Sequence, residues 1–177
     1  MKSLKHIAIM LVAVVAVSSC DYFYSLDLEN QHSEGIYIWS QKTGLKTGND
    51  PQTIDELNDK WYFHYIEPGQ MGSFADVMTG RPVDAQWVVE DVFWETDVLM
   101  IAIFDAKRLD ENWGVGKMSD YVIQKYWLRK EDVVEEDGKT YKKISFPPNE
   151  GMKDVEMEPA SDFPCGYPKL LFMPITI

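Results

Sequence analysis

Cysteine and histidine are scarce in this 177-residue chain: Cys20 and Cys165 are the two thiols, and there are three histidines. With no HExxH segment and no pair of CxxC units, a dedicated zinc site is not expected. Neither a P-loop nor a GxGxxG after a strand occurs, and Gly114-Val115-Gly116, lacking a third glycine and a following helix, reads as a loop. No serine has the context of a nucleophile elbow, so no cofactor and no catalytic residue is assigned. Positive charge is in short supply as well, 17 Lys and Arg against 29 Asp and Glu for a net charge of −12. That balance argues against nucleic acid or anionic lipid headgroups as partners, because gripping phosphates requires a cationic face. Long hydrophobic runs are also missing. The longest, Ile7 to Val17, falls short of the roughly 20 residues needed to cross a bilayer core.

The short run has a context. Lys2 and Lys5 precede it, and Val17-Ser18-Ser19-Cys20 follows it. A basic start, a brief apolar stretch and small residues before a cut are the parts of a secretory signal peptide. With cysteine directly after the two serines, the segment resembles the lipobox of bacterial lipoproteins. The resemblance implies that residues 1–19 are removed and that Cys20 is acylated, becomes the new N-terminus and tethers the rest to a membrane. One acyl chain anchors marginally and two or more hold, at about 0.8 kcal/mol per buried methylene. Bacterial lipoproteins generally carry two or three, so the expected state is anchored without spanning.

Residues 20–177 are expected to form one domain, since 177 residues less the first 19 leaves 158, enough to bury a core without staples. The leader holds two lysines and no acid, so the remainder is more acidic still, at −14. Lipidation of Cys20 leaves Cys165 without an intrachain partner, and no disulfide is expected. The 6 Trp, 9 Tyr and 8 Phe read first as core fillers. An exposed cluster of them is the signature that distinguishes a sugar-binding surface.

Tyr24, Leu26 and Leu28 alternate with polar residues, predicting a strand over 22–30, and Ile36 to Ser40 predicts a second, the two forming a hairpin. Ile54 to Asp59 suggests a helical turn. Trp61 to Ile66 and Gln70 to Thr79 read as strands. Ala85, Val88, Val89, Val92 and Phe93 recur at helical spacing behind Asp84, predicting a helix over 85–94 with Asp84 as N-cap. Val98 to Phe104, apolar on both faces, predicts a central strand. Leu109 to Tyr121 reads as irregular or briefly helical, Tyr121 to Leu128 as a strand, Arg129 to Glu136 as a charged segment with one helical turn, and Thr140 to Phe146 as a strand after the Asp137-Gly138 turn. From about 147 the chain reads as an irregular, Pro-rich tail, with Leu170 to Met173 a possible edge strand. The expected fold is mainly β, an immunoglobulin-like or related β-sandwich with one or two short helices.

Val98 to Asp105, the Trp113 region, Tyr121 to Leu128 with Lys130-Glu131-Asp132, and Ile144 to Pro148 leading into Met152-Lys153-Asp154 together resemble a group of small uncharacterised lipoproteins from Bacteroides-type bacteria. The resemblance implies the outer membrane of a Gram-negative cell and brings no activity. Acidic residues just after the lipidated cysteine resemble a surface-display signal in such bacteria. Asp21 alone stands there, so the periplasmic and exterior faces both stay open. The leading expectation is a non-enzymatic, lipid-anchored envelope module whose edge strand or Trp/Tyr patch contacts a protein or glycan. One alternative is an envelope glycan hydrolase using Asp or Glu, with Asp105 the first candidate, although Asp105 reads more naturally as a capping residue. Another is an accessory subunit of a surface glycan-uptake system. His64 reads as a packed or edge histidine.

Overall fold

The computed structural model describes residues 21–43, 54–57 and 62–159. Cys20, Cys165, Trp61, the leader 1–19 and the predicted edge strand Leu170 to Met173 lie outside the described residues. Eight strands and three short helices are described: β1 (Tyr22–Asn30), β2 (Ile36–Thr43), β3 (His64–Ile66), β4 (Met71–Thr79), α1 (Ala85–Val92), β5 (Val98–Asp105), α2 (Ala106–Glu111), β6 (Val122–Leu128), α3 (Lys130–Val133), β7 (Ile144–Phe146) and β8 (Glu156–Pro159). They form a three-stranded sheet in the order β4-β1-β7 and a five-stranded sheet in the order β3-β2-β5-β6-β8. Leu26, Leu28 and Phe74 of the first sheet share one apolar core with Ile38, Ile101 and Tyr126 of the second. The fold is therefore mainly β and sandwich-like, as the strand pattern predicts.

The predicted β1–β2 hairpin does not form. β1 pairs with β4 and, in parallel, with β7, while β2 pairs with β3 and β5. The turn 31–35 carries the chain from one sheet to the other. Leu26 and Leu28 then face Ile36 and Ile38 across the core instead of lying beside them, which buries both alternating faces. Asn30 secures this crossing. Its side chain is fully buried, and its amide donates to the carbonyls of Ile66 (3.1 Å) and Glu34 (2.9 Å) while its oxygen accepts the His32 N–H (3.0 Å).

A bulge in β4 makes a second tie between the sheets. Leu26 pairs with Ala75 and Asp27 with Ser73, so Phe74 is the extra residue. Its ring turns inward, and its carbonyl accepts the Ser40 hydroxyl of β2. The bulge also shifts the buried positions of β4 from Gly72 and Phe74 to Val77.

Helix α1 forms where its periodicity places it, with the Asp84 carboxylate accepting the Trp87 N–H at 2.8 Å and Ala85, Val88, Val89 and Val92 buried. Asp105 ends β5 and caps α2 by accepting the Arg108 N–H at 2.9 Å. The segment from Leu109, read as irregular or briefly helical, is helical at its start, within a helix that begins at Ala106. With only Ala106 and Leu109 buried, α2 carries too few apolar residues to announce itself.

The tail from 147 is more ordered than expected. Asn149 caps a 3-10 turn at Glu150–Met152, Met152 is buried, and β8 pairs with β6. Met157 of β8 packs against the core, while Glu158 and Glu156 pair with Lys125 (3.2 Å) and Arg129 (3.5 Å). Glu156-Met157-Glu158 is too short an alternation to read as a strand. The predicted strand over 140–146 shortens to Ile144–Phe146, preceded by an isolated bridge between Val134 and Tyr141, and the strand ending at Ile66 begins only at His64.

Candidate functional site

The five-stranded sheet is buried on both faces around β5, which is apolar from Val98 to Phe104. Leu99, Ile101 and Ile103 enter the inner core; Met100, Ala102 and Phe104 point the other way into a second cluster. Leu57, Phe63, Leu109 and Met118 cover that second face, with Tyr37, Ile54, Trp113 and Tyr121 packed around them. The cover consists of the 3-10 turn Ile54–Glu56, α2, the loop 112–117 and the 3-10 turn Met118–Tyr121. It forms a third layer over the sandwich, which periodicity did not predict.

A shallow cleft of about 150 Å³ opens in this cover, lined by Asp55, Leu57, Trp113, Gly114, Val115, Gly116 and Met118. Gly114 and Gly116 take φ of 78° and 74°, a region that disfavours side chains, so bare backbone contributes to the lining. The loop is tied down by the Tyr121 hydroxyl, which donates to the Val115 carbonyl, and by Asp120, which accepts the Lys117 N–H. Asp55 accepts the Ser119 N–H at 2.9 Å, joining the two 3-10 turns. That amide bond holds the Asp55 carboxyl below its ordinary value.

This cleft lacks the features of a hydrolytic site. Small-molecule pockets run from about 300 Å³ upward, and this cleft has half that volume. A general acid at neutral pH needs a raised pKa, whereas that of Asp55 is lowered. Among the described lining residues Asp55 is the one carboxylate, and glycoside hydrolysis needs two facing each other. Asp105 has its carboxylate on the Arg108 amide, the capping role that its sequence position suggests. His64 lies exposed on the edge strand β3, and among the described residues no group of three or more His, Cys, Asp and Glu could hold a metal.

The tryptophans divide clearly. Trp39 is buried; Trp87, Trp113 and Trp127 are half-buried against the two clusters; Trp94 is exposed. Around the cleft the rings meet tilted or edge-on: Tyr37 with Tyr65 at 57°, Phe63 with Trp113 at 88°. Phe63 packs inside the outer cluster, whereas Tyr65 keeps 48 % of its surface exposed. Sequence reasoning singled out the Trp113 region but assigned no role to Asp55, whose partner Ser119 lies 64 residues away. No local signal links them.

The Asp55 tie has a pH signature. A depressed carboxyl contributes its stabilisation above the ordinary Asp range and loses it as pH falls through the lowered folded-state value. Hydrogen-exchange protection of the Ser119 amide is therefore expected to be flat from neutral pH down to the ordinary Asp range and to fall only at more acidic pH. Asp55→Ala should abolish the excess protection at every pH. Protection that ignores both would mean that the bond does not hold in solution.

Comparison of the chain with protein-family models, with curated proteins and with solved structures finds no match in any of the three. Fold and site together define a small two-sheet β-protein with a covered outer face.

Proposed function

We propose that the chain is a lipid-anchored β-domain of a bacterial cell envelope, tethered through acylated Cys20 to the outer membrane and acting as a binding or accessory module. The observation that carries this reading is where the folded body begins. Tyr22 is already paired with Thr79 in β1, so Asp21 is the whole connection between Cys20 and the sheet. An anchor so close to a folded sheet holds the domain against the membrane, which suits a protein that works at that surface. Its partner is a protein or glycan reached through a strand edge or the Trp113 cleft, and its acidic surface disfavours nucleic acid.

The test is the mass of the N-terminal peptide from membranes of the producing cell. The expected product starts at Cys20 and carries fatty acyl chains, and Cys20→Ala removes the acyl mass and releases the protein from the membrane pellet. A chain starting at Met1, or an unmodified Cys20, would overturn the proposal.

A further inference from the structure

The two most exposed large apolar side chains among the described residues are Trp94 (77 %) and Phe23 (76 %), and Met78 is exposed to 62 %. Phe23 and Met78 are register partners on β1 and β4. Next to them Ser25 stands opposite Asp76, and Met71, the other exposed apolar residue of β4, lies at the opposite end of the strand.

Trp94 belongs to the end of Phe23 and Met78 too. The Ser40 hydroxyl on the Phe74 carbonyl, and the Ile66 side chain against Gly72, set β4 running in the same direction as β2. Thr79 and Thr43 therefore finish at one end of the sandwich, where β5 starts with Val98 opposite Thr43. Helix α1 connects the end of β4 to the start of β5, so the chain leaves and re-enters the sheets at that end. The Thr96 hydroxyl, two residues after Trp94, donates to the Thr43 carbonyl.

We infer that this end is a bilayer-docking surface, with Phe23, Met78 and Trp94 entering the boundary between headgroups and acyl chains. The inference rests on the proposed acylation of Cys20 and adds an orientation to it. Three residues, even fully extended, span about 10 Å, so Phe23 cannot lie farther than that from the anchored cysteine. Acyl chains on Cys20 enter the hydrocarbon, which puts Phe23 within reach of the interface. Trp is the side chain most at home there, and apolar faces penetrate about 5–10 Å. Charges of both signs flank the end, Asp21, Asp91, Glu95 and Asp97 against Lys42, Arg81 and Arg129, so apolar contact and not net charge drives the docking. A protein partner would have to fit into the gap that the short tether closes.

The experiment uses the full chain purified from membranes and reconstituted in phosphatidylcholine vesicles carrying acyl-chain-brominated lipid. A polarity-sensitive fluorophore is placed on Met78→Cys or, as control, on Met71→Cys, each with Cys165→Ser. Met71 has the same 62 % exposure and lies on the same strand, seven residues away, which corresponds to about 23 Å. The intact mass of each sample reports acylation. With Cys20 acylated, quenching at position 78 is expected to exceed that at 71 by at least about threefold, matching shallow insertion of one end only. Equal quenching on acylated protein would overturn the docking surface and leave the anchor standing. An unacylated Cys20 would overturn both.

Discussion

Asn30→Asp is expected to destabilise the fold by about 3–5 kcal/mol at neutral pH, the range for leaving an uncompensated charge buried. Asn30 is 0 % exposed, and its amide nitrogen donates to two carbonyls that span the crossing between the sheets. An aspartate of the same shape presents an acceptor to those acceptors and removes both donors. Small domains are stable by about 5–15 kcal/mol, so the variant should be marginal. The pH dependence identifies the cause. Burial raises the introduced carboxyl's pKa, so the penalty is in force above that value and is relieved as pH falls through it. The urea midpoint of the variant should accordingly recover between neutral and mildly acidic pH, where the parent protein changes little. A midpoint equal to the parent's at pH 7 would mean that water reaches the site.

Phe104→Ala should cost about 3–5 kcal/mol as well, through a cavity in the second cluster. Phe104 is fully buried on the outer face of the central strand, edge-on to Phe63 at 5.1 Å, and Phe63 is in turn edge-on to Trp113. Removing the ring deprives the cover of its support while leaving Ile101 and Ile103 in the inner core untouched. Hydrogen exchange of residues 118–121 is therefore expected to accelerate before that of β1 and β4 in mild urea. A loss below about 1 kcal/mol, with uniform exchange, would mean that the cover collapses onto the gap and is not a separate layer.

Some elements were legible because their signal is local. Tyr24, Leu26 and Leu28 alternate on a strand that forms over the predicted residues, and Val88, Val89, Val92 and Phe93 repeat at the helical period behind a capping aspartate. Val98 to Phe104 is apolar throughout and lies central, buried from both sides. The failures have equally specific causes. Gln31 to Gly35 has the length and polarity of a hairpin loop, yet a loop of that length serves equally to change sheets, and Asn30 decides the matter through Ile66, 36 residues away. The phase change in β4 at Phe74 exists only in register with β1. β8 is placed by its pairing with β6, where Glu158 and Glu156 meet Lys125 and Arg129.

The candidate cleft follows the same division. Trp113 and the two glycines are contiguous and stood out as a loop, whereas Asp55 and Ser119 meet only after folding. Likewise Phe23, Met78 and Trp94 are unremarkable where they stand in the chain, and only the pairing of β1 with β4 and the connection of β4 to β5 through α1 assign them to one end. By itself the sequence determined the leader and its cysteine as an expectation, the β-rich class, and the positions of most strands and the capped helix, because alternation, helical spacing and capping are properties of neighbouring residues. Tertiary structure alone decided which strand pairs with which, the third layer over β5 and the shared apolar end. Backbone amides and carbonyls are chemically alike in every strand, and their partners are selected by the burial of faces that lie far apart along the chain.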